Sequence, residues 1–141
     1  MPLKQLIISA LLLAFASPAI AEGTPSPSGA SAYIVNLKDG ASVKSPFLII
    51  FGLKGMGVAP AGTKKANTGH HHLIINEKIE GEELKENIPA DEQHIHFGGG
   101  QTETTLNLKP GTYTLQLVLG DLNHVPHNPP VMSKAIKIIV K

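Results

Sequence analysis

The sequence predicts an all-β domain, an immunoglobulin-like antiparallel β-sandwich, with a small β-barrel as the alternative closure. Three observations carry this expectation. Apolar residues come in short runs bounded by Gly, Pro, Asn and Asp, the runs alternate polar with apolar or β-branched residues, and no long window keeps the 3.6-residue period of a helix.

Residues 1–21 come before the fold. Lys4 leads an apolar run over 6–15, followed by Ser17-Pro18-Ala19-Ile20-Ala21, the order of a secretory signal peptide with a small-residue cleavage site after Ala21. The run is well short of the roughly 20 residues that cross a bilayer, and no other segment is long or apolar enough, so no membrane span is expected after cleavage. A periplasmic or secreted location follows. Residues 22–31 (EGTPSPSGAS) are rich in Pro, Ser and Gly and read as a flexible leader, which leaves 32–141 for the sandwich.

The strands follow in order. Residues 33–37 (YIVNL) stop at the turn Lys38-Asp39-Gly40, and 47–51 (FLIIF) follow Pro46 and stop at Gly52. Residues 72–76 are a third strand, led by consecutive histidines. Charged residues 77–86 are interrupted by Gly81 and suit an exposed loop with one short turn. Residues 102–108 alternate in character and meet Lys109-Pro110-Gly111, a hairpin turn leading into 112–119; 134–140 is the last strand. The Pro110-Gly111-Thr112-Tyr113 stretch suits a sandwich corner.

Composition removes several functions. The 141 residues hold 12 lysines against 11 acidic groups, and the lysines are scattered, so no basic field exists for a nucleic acid. Aromatics at 4% leave no stacking platform for bases. With no cysteine there is no disulfide, thiolate ligand or Cys nucleophile, so any metal must use nitrogen, oxygen or thioether sulfur. No Gly-x-Ser-x-Gly is present, Phe97-Gly98-Gly99-Gly100 lacks the lysine of a phosphate loop, and Met56 reads as a packing residue. No catalytic residue is assigned. A metal enzyme would need an open coordination position and a neighbour such as Asp91, Glu92 or Asp121.

The 7 histidines fall in three groups: His70-His71-His72, His94-x-His96 and His124-x-x-His127. In immunoglobulin order these groups close the B–C connection, precede strand E and occupy the F–G connection, which share one end of a sandwich. Imidazole is the commonest protein metal ligand and suits Cu and Zn. The candidate ligands are His70, His72, His94, His96, His124 and His127. Within this set His72, His94, His96 and His127 are the leading four, and His71 is set aside because alternation turns it to the opposite face. Asp91 and Asp121 are candidate acceptors for ring N–H groups. The expected function is binding of a divalent transition metal, Cu or Zn, for buffering or delivery. The alternative is a module for an envelope protein partner, with the histidines as a structural network.

Asn36-Leu37-Lys38-Asp39-Gly40, residues 51–62, Asn67-Thr68-Gly69-His70-His71-His72, His94-Ile95-His96-Phe97-Gly98 and residues 117–127 together resemble an exported bacterial histidine-rich family, a domain of unknown function of the DUF4399 type. The resemblance spans about 33–140 and implies a periplasmic setting with no established activity. A vaguer similarity to periplasmic copper-carrier sandwiches runs through Asp39-Gly40-Ala41 and the Tyr113 corner. Those carriers use an N-terminal histidine, whereas the expected first residue here is Glu22.

Overall fold

The computed structural model describes residues 23–141, so the expected signal peptide lies outside the described residues. The order is β1 (Ser31–Ile34), β2 (Ala41–Val43), β3 (Phe47–Lys54), β4 (Gly57–Val58), β5 (Thr68–Ile75), a 3-10 turn (Gly81–Lys85), β6 (His94–His96), β7 (Glu103–Leu106), β8 (Gly111–Gly120) and β9 (Ile136–Val140). One sheet runs β1-β3-β7. The other runs β2-β9-β8-β5-β4, with β6 also paired to β5. Apart from β2 on β9 and β4 on β5, all pairs are antiparallel. This is the A-B-E and G-F-C division of an immunoglobulin-like sandwich.

Alternation explains the core. Leu115, Leu117 and Leu119 face one way along β8, while Val118 and Gly120 face the other. The inward row meets Ile49 and Phe51 of β3, Leu73 and Ile75 of β5, Leu106 of β7 and Ile138 of β9, which form the cluster between the sheets. Burying each such side chain contributes about 1.5–3 kcal/mol. The outward face of the six-stranded sheet is not left to water. Ile74 and Val118 on that face pack with Ile79 and Ile88 from the loop after β5 into a second cluster. β5 is therefore buried on both faces along its length.

Local devices end the strands. Asn76, at φ 59°, stops β5 in the left-handed region, and its Oδ1 accepts from Thr114 N at 2.9 Å. Tyr113 donates its hydroxyl to the Lys109 carbonyl at 2.9 Å, which makes the sandwich corner expected at Pro110-Gly111-Thr112-Tyr113 a tyrosine corner. Asn36 extends the β1–β3 edge by donating to Leu48 O and accepting from Ile50 N.

The segment expected as a free leader is bound to the fold from Gly23 onward. Pro25 bridges Asn128, Asn128 N donates to Thr24 O at 3.0 Å, and Ser26 N donates to Asn128 O at 3.1 Å. Composition suggested a linker; backbone hydrogen bonds to the loop before Pro129 tie it down instead.

Candidate metal centre

Strand β5 lies in the middle of the six-stranded sheet, so its side chains are placed by pairing on both edges. On one edge His70 is opposite Gly120 and His72 opposite Val118; on the other, His72 is opposite His96. His70, His72 and His96 therefore share the outward face. His71, between them, points inward at Phe51, with ring centroids 5.2 Å apart. The fourth imidazole comes from the loop after β8. His124 N donates to Asp121 O at 3.0 Å and the residue sits at φ 66°, a left-handed conformation that histidine tolerates better than most and that turns its side chain back over the sheet.

His70, His72, His96 and His124 form a group whose ligand atoms all lie within 4.8 Å of one another. Ring centroids are 4.7 Å apart for His70–His72 and for His96–His124, and 5.0 Å for His70–His96 and His72–His96. His70 Nε2 and His124 Nδ1 approach to 3.1 Å. His70 and His72 are each 1% exposed, whereas His96 is open to solvent and His124 half-buried. The site has a deep wall and an accessible one.

Three glycines make room for the rings. A Cβ on Gly120 would stand 2.5 Å from His72 Cε1, and one on Gly98 would stand 2.4 Å from His96 Cε1. A Cβ on Gly69 would press on Gly120 O and the His127 ring. The loop after β4 ties the parts together: Ala61 N donates to Gly98 O at 2.9 Å, and Gly62 N donates to Leu122 O at 3.1 Å.

The electrostatics favour the neutral form of His70, His72 and His96. Burial lowers the His70 pKa to about 4, with neighbouring His96 and His124 adding to the effect, and lowers His72 to about 3. His96 is lowered too, by burial and by His124. The Nδ1 atoms of His70 and His72 are buried without hydrogen-bond partners, as are both ring nitrogens of His71, whose pKa burial alone lowers to about 4. Neutral imidazoles are the form that binds metal.

The six candidate residues thus divide. All three sequence groups send members to the cluster, but His94 and His127, both among the leading four, lie outside it. His94 is on the same face, two residues along β6, opposite Ile74; its Nδ1 pairs with Asp91 Oδ1 at 2.8 Å. Sharing a face does not mean sharing a site, because two residues along a strand is about 6.6 Å. His127 is buried between two backbone carbonyls, with Nδ1 3.3 Å from Leu119 O and Nε2 3.1 Å from Thr68 O. It joins the ends of β5 and β8. His70 and His124, ranked behind these two, take their places.

The two expected acceptors divide as well. Asp91 does orient a histidine, the one outside the cluster, and the His94 hydrogen bond holds its carboxyl below the usual range. Asp121 binds backbone rather than a ring. Its Oδ1 accepts from Asn123 N at 2.8 Å and Val125 N at 3.0 Å, and its Oδ2 accepts from Thr24 N and Oγ1. Burial pushes the Asp121 carboxyl up, but these donors outweigh it and bring it below its ordinary value.

The chemistry of the donor set is narrow. Four imidazole nitrogens, without carboxylate or thiolate, suit Zn, Cu or Ni rather than Ca or Mg, which demand oxygen. At a metal–nitrogen distance of about 2.0–2.1 Å, tetrahedral ligands stand about 3.3 Å apart, close to the His70–His124 separation. The group could hold a metal ion.

A family model described as "Domain of unknown function (DUF4399)" matches residues 49–141, which include every histidine of the chain. No curated protein and no solved structure matches it.

Proposed function

Since the chain belongs to the DUF4399 family of domains of unknown function, whose description assigns no activity, we propose that its function is to bind one transition-metal ion through His70, His72, His96 and His124. The observation that carries this reading is the convergence of four ligand nitrogens, from three separate stretches of chain, to within 4.8 Å. The ion is Cu(II) or Zn(II): neutral imidazole suits both, and copper leads the divalent affinity order. Four protein ligands can saturate a tetrahedral ion, the pattern of a holding site rather than of a catalytic one with an open position. Burial of His70 and His72 favours retention, and exposure of His96 favours exchange. The role is buffering or delivery, in the periplasm to which the expected signal peptide directs the chain.

A competing reading has one observation in its favour. The His70–His124 hydrogen bond is what a metal-free histidine network would use. It leaves His70 Nδ1 and His72 Nδ1 buried and unpartnered, whereas a satisfied network would pair them.

Elemental analysis of tag-free protein recovered from the periplasm tests the proposal directly. About one equivalent of Cu or Zn, lost on replacing His72 and His96 together by Ala, is the expected result. Metal-free protein whose melting temperature neither ion raises would leave the network reading standing.

A further inference from the structure

The loop that carries His124 is held from a distant part of the chain. Asp121 organises the loop through Oδ1, which accepts from Asn123 N and Val125 N on either side of His124. The other oxygen of the same carboxylate is taken by Thr24, through its backbone N–H at 3.1 Å and its hydroxyl at 2.7 Å. Beyond Thr24 the contact continues as the Pro25–Asn128 bridge. Before it, Gly23 lies so close to the loop that a Cβ would stand 1.8 Å from Pro126 O. The loop is thus clasped between β8 and a segment about 97 residues earlier in sequence.

We propose that Gly23–Ser26 is a strap that completes the metal site by fixing the Asp121–Asn128 loop, making Gly23 and Thr24 positioning residues for His124. This deepens the metal-binding reading and rests on it. His70 and His72 are fixed by the sheet and His96 by β6, whereas His124 lies in a loop, in a left-handed backbone conformation that needs support from its surroundings: Ile88 N donates to His124 O at 2.8 Å, Gly62 N donates to Leu122 O, and Thr24 holds Asp121. The strap supplies its share of that support through the carboxylate. When it is undocked, Asp121 loses two of its four donors, His124 is held only by the contacts from Ile88, Gly62 and His70, and the fourth ligand of the site is less firmly positioned. With cleavage after Ala21, the strap is the first segment of the exported chain, so metal affinity depends on how that segment is docked.

The test titrates the processed protein with Cu(II) against a competing chelator and records the Cu(II) electron paramagnetic resonance spectrum. Wild type is compared with Thr24→Val, Thr24→Ser and Gly23→Ala. Thr24→Val removes the hydroxyl at constant shape, and Gly23→Ala forces the strap off Pro126 O. Each should weaken Cu(II) binding about 10–100-fold, the usual cost of disturbing the groups behind a metal's ligands. Each should also change the nitrogen hyperfine pattern. Thr24→Ser keeps the hydroxyl and should restore both wild-type affinity and spectrum; the altered spectrum of Thr24→Val reads the ligand set itself, which a merely structural role would not move. Wild-type affinity and spectrum in both Thr24→Val and Gly23→Ala would overturn the strap while leaving the metal site intact, as would Thr24→Ser behaving like Thr24→Val. If wild type itself binds no Cu(II), the metal reading fails, and the strap proposal with it.

Discussion

Strand β5 carries two opposite environments on adjacent residues. His72 faces outward among His70, His96 and His124, while His71 faces inward at Phe51 in the core between the sheets. Both are essentially unexposed, and burial lowers both pKa values, to about 3 and about 4. By burial or titration alone the two cannot be told apart. What distinguishes them is company: outward, nitrogens meet other nitrogens, whereas inward the imidazole meets carbon. A perturbed histidine becomes a site only where neighbours let its nitrogen share a ligand.

The largest expected effect comes from acid, and it falls on both faces. The folded pKa values of His70, His71 and His72 lie below the ordinary 6.5, so below about pH 6.5 the unfolded chain takes up protons that the folded one refuses. Stability is full above pH 6.5 and falls as pH drops, levelling off only between about pH 4 and 3 as the folded rings protonate in turn. Each group contributes at most about 1.4 kcal/mol per pH unit, so three give about 4 kcal/mol per unit, large against a domain stability of about 5–15 kcal/mol. Urea titrations of metal-free protein between pH 7 and 5 should show this steep loss. A flat profile would mean that the rings are not buried as described.

Metal should separate the two faces. At a hundredfold excess over Kd, Cu(II) or Zn(II) stabilises the fold by about 2.7 kcal/mol, and the paired replacement of His72 and His96 by Ala abolishes that gain. Replacement of His71 should leave the metal-induced rise in melting temperature in place. Calorimetric scans with and without ion measure both.

Much of this contrast was legible beforehand. Strand alternation placed His71 opposite His70 and His72, and the turn residues ordered the strands well enough to bring three histidine groups to one region. The short strands β2, β4 and β6 were not legible, because two or three residues carry no period and their existence depends on long-range partners. The same limit put His94 and His127, which lie outside the cluster, ahead of His70 and His124, which lie in it. Choosing His124 over His94 required the β5–β6 register, which puts His94 opposite Ile74. Rejecting His127 required knowing that two carbonyls would flank its ring. One local signal was available. Gly69, Gly98 and Gly120 each stand one or two residues from a histidine or at a strand end, and each leaves space that a ring occupies. Glycines beside histidines therefore mark where imidazoles are packed, which histidine spacing alone does not.

The inward face yields a smaller effect of opposite sign. His71→Leu replaces a ring with two unpartnered buried nitrogens by a side chain of similar volume suited to Phe51 and Phe97. Removing an unsatisfied polar group in this way should stabilise the metal-free protein by about 1–3 kcal/mol. It should also remove about one third of the acid sensitivity, while metal affinity is unchanged. A destabilised variant at pH 7 would show that the imidazole makes an interaction in the core that carbon cannot replace.

The smallest effect separates the cluster from its neighbour on the same outward face. His94 differs from His96 only by two positions along β6, yet its nitrogen is engaged by Asp91 and its surroundings are the loop residues that cover Ile74 rather than other imidazoles. Its hydrogen bond joins a mostly buried ring to an exposed carboxylate, whose interaction solvent screens. His94→Gln should therefore change stability by no more than about 0.5 kcal/mol, as a substitution near the surface usually does. Metal affinity should stay within about threefold of wild type, the scatter allowed for a residue that does not bind the ion. If His96 is a ligand as proposed, the same substitution there should cost at least tenfold. Equal losses at the two positions would place His94 in the coordination sphere, and the division drawn along β6 would have to move by one step of the strand's alternation.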